Sequence, residues 1–249
     1  MTRVIEVHNG ISAILAERSD YDALWVSSLT HSASVGLPDN EIIPLKDRVD
    51  LVRQVRRVST KPIIVDIDTG GDIAHLETIV QWFEEAGAYA LIMEDKKFPK
   101  QNSLLEKGKK DLEDIDIFAE KIAVAKKACK KMKIIARLES LIARKSEYEA
   151  LLRAEAYIKA GADGIMVHSK TRVQAPEVMS VGKELRKKFK NLLLVAVPTT
   201  YELPKKHPFD IVINANHLMR ASVRAMERYL SGEKTILASV KEIFNCIGI

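Results

Sequence analysis

Three carboxylates, two long cations and a histidine are spaced so that they can share one site. Asp66 and Asp68 stand two residues apart at the end of the extended run 62–67, which sends both side chains out on the same side. Glu94 closes the next apolar run, 89–93. Three carboxylates converging on one mouth repel each other unless a cation neutralises them. No Cys or His accompanies them, so the donors are hard oxygens suited to Mg²⁺ or Mn²⁺. A lone Asp at a strand end is as readily a helix N-cap or turn former, and Asp68-Thr69-Gly70-Gly71 has that form.

The opposite charge comes from Arg137, near the end of the run 133–138, and from Lys100, in the loop after Glu94. An Arg fork suits phosphate or carboxylate oxygens, although a salt bridge to Glu139 would occupy it equally well. His168 follows the run 164–167; alone it reads as readily as a structural histidine. A divalent ion with Arg, Lys and His around one pocket describes a site for a small, multiply charged anion.

The elements that must position these groups are legible as eight short apolar runs: 4–7, 23–27, 62–67, 89–93, 133–138, 164–167, 192–197 and 210–213. Between them, 45–58, 73–86, 112–128, 147–160 and 175–189 carry apolar residues every three or four positions. Strands this continuous in hydrophobicity suit a parallel sheet covered by helices. Eight alternating units over 249 residues predict one α/β domain, a (β/α)₈ TIM-type barrel. A doubly wound open sheet is the alternative, weakened because no Gly-rich dinucleotide or phosphate loop follows any strand.

Every strand end is polar: His8-Asn9, Ser27-Ser28, Asp66 with Asp68, Glu94-Asp95, Arg137 with Glu139, His168-Ser169, Thr199-Thr200, and Asn214 with Asn216. In barrels the active site forms at that end, and so many groups costly to desolvate favour an enzyme. After the helical stretch 217–230, an amphipathic tail from about 233 to 249 supplies an extra helix, expected to pack on another subunit or on its own barrel.

Composition narrows the class further. The chain is 47% hydrophobic and 29% charged, with 11 Gly and 8 Pro, which excludes collagen-like, low-complexity and wholly disordered proteins. Net charge is +5, much of it in Lys126, Lys127, Lys130, Lys131 and Lys133 and in Lys96, Lys97, Lys100, Lys107, Lys109 and Lys110. The first group reads as a solvated helix face. With aromatics at only 6%, nucleic-acid binding is not expected. Cys129 and Cys246 lack metal-ligand spacing, no apolar run could span a membrane, and the N-terminus lacks a leader's apolar core. A cytoplasmic protein with neither a membrane nor a nucleic-acid partner is expected.

Residues 96–110 form a long, lysine-rich loop holding Pro99 and Gly108, and loops of this size in a compact barrel are either disordered or functional lids. Glu94-Asp95-Lys96, five residues, then Asn102-Ser103 resembles the lid pattern of the phosphoenolpyruvate mutase branch of the isocitrate lyase superfamily. The resemblance, covering residues 3 to about 230, extends to Trp25-Val26-Ser27-Ser28-Leu29, Gly36-Leu37-Pro38-Asp39, Asp66-Ile67-Asp68-Thr69-Gly70-Gly71, Ala136-Arg137-Leu138-Glu139-Ser140, Gly161-Ala162-Asp163-Gly164-Ile165-Met166-Val167-His168-Ser169 and Asn214-Ala215-Asn216-His217.

The resemblance implies a barrel that exchanges its last helix between subunits of a homodimer or homotetramer. It implies interconversion of phosphoenolpyruvate and 3-phosphonopyruvate, with a phosphonopyruvate decarboxylase downstream in phosphonate biosynthesis. By position, Asp66 would bind Mg²⁺ directly, while Asp39, Asp68 and Glu94 hold it through waters. Trp25, Ser27, Ser28 and Leu29 would cradle substrate, Arg137 and His168 the phosphoryl oxygens, and Lys100, Asn102 and Ser103 would come from the closing lid. The nearest rival, phosphonopyruvate hydrolase, tends to carry Thr at the position of Asn102. Carbon–carbon lyases of the superfamily use a lid Cys, and residues 94–110 contain none. A catalytically silent barrel is the remaining alternative. His31 and Val35 depart from the expected pattern of the 29–39 loop.

Overall fold

The computed structural model describes residues 1–108, 110–171 and 173–248, with Val173 described by its backbone alone. All eight expected strands form: β1 (Thr2–Val7), β2 (Ala23–Val26), β3 (Ile63–Asp66), β4 (Ala90–Glu94), β5 (Lys133–Leu138), β6 (Gly164–Val167), β8 (Leu193–Ala196) and β10 (Ile211–Asn214). They close into a parallel barrel in the order β1-β10-β8-β6-β5-β4-β3-β2. Closure runs through β1 and β10, with Val4 opposite Ile213, which removes the open-sheet alternative. Gly164 permits the β6–β8 contact, because a Cβ there would lie 2.7 Å from the Leu193 carbonyl oxygen.

Side-chain alternation along each strand divides the apolar residues into two layers. Val4, Trp25, Ile64, Ile92, Ile135, Met166, Val195 and Ile213 fill the barrel. Val7, Leu24, Val65, Leu91, Ile134, Ile165 and Leu194 face the helices α3 (Leu45–Arg56), α4 (Ile73–Glu85), α5 (Ile115–Ala128), α6 (Glu147–Lys159) and α7 (Pro176–Lys188). Two helices not read from the sequence, α1 (Gly10–Glu17) and α2 (Ser28–Ser34), follow β1 and β2. A small parallel pair, β7 (Val173–Gln174) with β9 (Tyr201–Glu202), joins two loops outside the barrel.

The C-terminal stretch forms α8 (His217–Leu230) and α9 (Val240–Ile247), neither of which buries a residue in this chain. Arg18, which caps the C-terminal end of α1, donates to the carbonyls of Asn245 and Cys246 at 3.1 and 3.2 Å, so α9 touches its own barrel by its last turn. Lys109 and Ile249, named above in the lysine group and the tail, lie outside the described residues. Of the second lysine group, Lys96 and Lys100 are buried.

Candidate active site

At the C-terminal mouth of the barrel lies a cavity of about 440 Å³, the mouth's open space included. Its wall takes Trp25 from β2, Ser27, Ser28 and Leu29 at the entry to α2, Asp39 from the following loop, Asp66 from β3, Arg137 from β5 and His168 beyond β6. The loop after β4 contributes Lys100, Asn102 and Ser103 to it. Thr199 and Asn216, two of the polar tips, also line it. His8 and Asn9 do not: His8 pairs with Glu6 at 2.6 Å, and Asn9 caps α1.

Asp68 and Glu94 stand behind the cavity wall instead of on it. Only Asp66 takes the cavity side expected from strand alternation, because Asp68 lies past the strand with a left-handed backbone, φ +54°. Its Oδ2 accepts from Arg48 at 2.7 Å and its Oδ1 pairs with Lys100 at 3.0 Å. Burial works against ionisation of Asp68, but Arg48 and Lys100 outweigh it and hold the carboxyl well below the usual range. Asp66 accepts from the Asp68 amide at 3.0 Å and from Ser28 Oγ at 3.2 Å. Burial, then the neighbouring Asp68, pushes Asp66 upward. Burial also lifts Glu94 to about 7, against the pull of Arg137, Lys96 and Lys100.

The lid is docked. Lys96 Nζ donates to the Gln101 carbonyl at 2.8 Å and to Ser103 Oγ at 2.6 Å, and Lys97 N donates to the Asp111 carbonyl at 3.0 Å. Lys100 Nζ and Asn102 Nδ2 both donate to Asp39 Oδ2, at 2.8 and 2.6 Å. Asn102 Oδ1 accepts from Leu104 N at 2.9 Å, which fixes the amide with its NH₂ toward the site. Burial disfavours the Lys100 ammonium, yet Asp68, Glu94, Asp39 and Asp66 together hold it above the ordinary lysine value.

Glu139 organises the opposite wall. Its Oε1 accepts from Arg137 Nε at 2.7 Å and meets His168 Nδ1 at 2.5 Å, while its Oε2 accepts from Ser103 Oγ at 2.5 Å and pairs with Lys96 at 3.4 Å. The alternative reading of Arg137 as Glu139's partner is therefore met, yet Arg137 also lines the cavity and pairs with Glu94 at 3.1 Å. Burial opposes the Glu139 charge, but Arg137, His168 and Lys96 hold its carboxyl well below 4.5. The Glu139 amide donates to Asp95 Oδ1 at 2.7 Å, and Asp95 Oδ2 is held by Tyr157 and Arg153 at 3.0 and 3.2 Å.

Sequence reasoning missed several supporting residues. Arg48 and Lys121 interrupt apolar stripes, Arg48 beside Leu51, Val52 and Val55 and Lys121 beside Phe118, Ile122 and Ala125. A charge on a core-facing stripe was the available signal. From α3 and α5 the two cations converge on the turn after β3: Arg48 on the Asp66 carbonyl at 2.8 Å, Lys121 on those of Thr69 and Gly71 at 3.1 and 2.7 Å. Glu41 carried no such signal. It accepts from Thr69 N at 3.0 Å and Lys100 N at 2.6 Å, joining that turn to the lid.

The donor chemistry fits a hard divalent cation. Both oxygens of Glu94 and Oδ1 of Asp39 are buried without a hydrogen-bond donor, although Glu94 keeps its ion pairs. Among the described residues no three acidic, His or Cys side chains gather closely enough to hold an ion by themselves. Lys100 bridges Asp39 and Asp68, and Arg137 stands between Asp66 and Glu94. That spacing accords with one direct ligand and others acting through water. Neither Cys129 nor Cys246 lines the cavity.

Barrel, lid and charged mouth define the class as a TIM-type barrel of the phosphoenolpyruvate mutase and isocitrate lyase superfamily. The chain belongs to the phosphoenolpyruvate phosphomutase family, whose model matches residues 1–232. It is 36% identical to a phosphonopyruvate hydrolase from Variovorax sp. (strain Pal2), over 97% of this chain and 88% of that one. It is 34% identical to a phosphoenolpyruvate phosphomutase from Tetrahymena pyriformis, over 98% and 86%. A solved phosphonopyruvate hydrolase in complex with oxalate and Mg²⁺ superposes with a TM-score of 0.86 at 33% identity, covering 100% of this chain and 90% of that one. The relatives are enzymes, and no helix among the described residues is long and apolar enough to cross a membrane.

Proposed function

We propose that the chain is a Mg²⁺-dependent phosphoenolpyruvate mutase that interconverts phosphoenolpyruvate and 3-phosphonopyruvate. The observation that carries this reading is Asn102, a lid amide on the cavity wall with its NH₂ directed inward. Starting from phosphonopyruvate, the P–C bond breaks with its electron pair left on the methylene carbon, giving pyruvate enolate. The enolate oxygen then takes the phosphoryl group by forming the O–P bond. A loose transition state of this kind needs positioning and charge more than covalent help.

Arg137 and His168, locked by Glu139, hold the phosphoryl oxygens, and Asn102 keeps the group between carbon and oxygen. Trp25, Ser27, Ser28 and Leu29 cradle the pyruvyl end. Lys100, kept charged by the surrounding acids, and Ser103 close the lid and exclude water, which would otherwise capture the phosphoryl group. Asp66, with Asp39, Asp68 and Glu94 through waters, would hold Mg²⁺, which when bound supplies positive charge to the pyruvyl oxygens. The apolar face left exposed on α8 and α9, including Met226, Ile243 and Phe244, supports a homo-oligomer that exchanges its C-terminal helix. The reading places the enzyme in the cytoplasm, with a phosphonopyruvate decarboxylase drawing off its product.

The 36% identity to a hydrolase favours a second reading, cleavage of phosphonopyruvate to pyruvate and phosphate. Phosphorus NMR of the protein with phosphonopyruvate and Mg²⁺ separates the two. Phosphoenolpyruvate appearing, and failing to appear with EDTA, is the expected result; inorganic phosphate in its place would establish the hydrolase.

A further inference from the structure

Arg48 is 1% exposed, and it lies on the face of α3 that otherwise presents Leu51, Val52 and Val55 to the core. Its NH1 donates to Asp68 Oδ2 at 2.7 Å and to the Asp66 carbonyl at 2.8 Å, while its Nε finds no hydrogen-bond partner. Packing alone does not call for this residue. Replacing a buried ion pair by apolar side chains of similar volume is often neutral or stabilising, so the charge itself needs a use. That use lies at the other end of the contact. Asp68 adopts a left-handed backbone without being glycine, and Asp66 sits two residues away with its carboxylate on the cavity. Such a turn, dense in negative charge, is unfavourable until something neutralises it.

We infer that Arg48 is a resident countercation: it holds the Asp66–Asp68 turn in its working shape when no metal is present, and by its charge it keeps divalent-cation binding weak enough to be reversible. Arg48 is thus a positioning residue, since it reaches the cavity only through Asp66 and Asp68. Lys100 reinforces the effect from the lid, at 3.0 Å from the other oxygen of Asp68. A fixed positive charge next to a divalent ion opposes that ion's binding directly, and the low dielectric of a buried site enlarges the effect. The inference rests on the reading that these carboxylates hold a divalent ion.

The test compares wild type, Arg48→Gln and Arg48→Lys, using Mn²⁺ as the probe. Dissociation constants come from the free-Mn²⁺ electron paramagnetic resonance signal, and melting temperatures are taken with and without the ion. Arg48→Gln should lower the metal-free melting temperature, tighten Mn²⁺ binding by about tenfold or more, and gain a larger melting increment from Mn²⁺ than wild type. Arg48→Lys keeps the charge and should keep the affinity within about twofold of wild type. Unchanged or weaker Mn²⁺ binding by Arg48→Gln would overturn the inference, because a merely structural Arg predicts that outcome. Should Arg48→Gln fail to fold, Arg48→Lys decides: a near-wild-type affinity supports the inference, and a tenfold change refutes it. A wild type that binds no Mn²⁺ would overturn the metal reading and this inference with it, whereas binding that ignores Arg48 overturns the inference alone.

Discussion

Glu139→Gln is the substitution whose consequences the structure defines most sharply. The change keeps the side chain's shape and removes its charge at a fully buried position. Arg137, Lys96 and His168 all lose that charge at once, and the first two are buried cations. Removing one partner of a buried ion pair costs about 3–5 kcal/mol; Glu94 and Asp66 still face Arg137, which places this case near the lower end, about 3 kcal/mol. For a chain of this length that corresponds to a fall in melting temperature of roughly 6–12 °C.

The pH dependence follows from the sign of the shift. Glu139 is held well below 4.5 in the folded protein, so its stabilisation is fully present above that value and is lost as pH falls through the lower folded pKa. The deficit of Glu139→Gln should therefore be constant near neutrality and shrink only below about pH 4.5. Turnover should fall about a hundredfold, because Arg137 and His168 lose the group that orients them. Differential scanning fluorimetry across pH, with phosphorus NMR for turnover, measures both. A variant melting within about 2 °C of wild type at neutral pH, or turning over normally, would refute Glu139 as the organiser of that wall.

Three further outcomes are expected. Asn102→Thr should raise phosphate release relative to rearrangement, read as a product ratio by phosphorus NMR; an unchanged ratio would remove Asn102 from the control of the outcome. Asp66→Ala or Asp39→Ala should cost about a thousandfold or more in turnover with an unchanged far-ultraviolet circular dichroism spectrum, and near-normal rates in either would void that residue's assignment. Glu94, lifted to about 7 by burial, makes the metal-free protein less stable as pH rises from about 4.5 to about 7, since the folded form holds the proton longer than the unfolded chain. The melting increment from Mg²⁺ should accordingly grow through that window, and an increment independent of pH would contradict the role given to Glu94.

Much of the fold was legible because its signals are local. The run 133–138 is strand β5 residue for residue, and the run 89–93 differs from β4 by one position at each end. The ends of α3 to α8 were legible to within about two or three residues, as expected where capping and fraying decide them, whereas the helix of the tail read from about 233 begins only at Val240, behind its Ser239 cap. The missed helix α2 is seven residues long, too short to show a period, and the β7–β9 pair has two residues in each strand.

The site divides along a different line. Residue types and order along the chain already named Asp66, Arg137 and His168, because strand ends in a barrel all open on one mouth, and Lys100 in the loop after Glu94; Asn102 and Ser103 were named only by the family resemblance. Tertiary structure alone decided that Asp68 and Glu94 stand behind that mouth, that Arg48 and Lys121 reach the turn from two helices, and that Glu139, besides pairing with Arg137, holds His168 and Ser103. The hydrogen bonds of Arg48 and Lys121 to that turn, and of Glu139 to His168 and Ser103, join residues 18 to 52 apart in the chain, as with Arg48 and Asp66 or Lys121 and Thr69. Whether a charge faces a partner, a core or water depends on how closed layers pack around it. Periodicity reports only which side of its own element a residue occupies; the partner on the other side is set by packing.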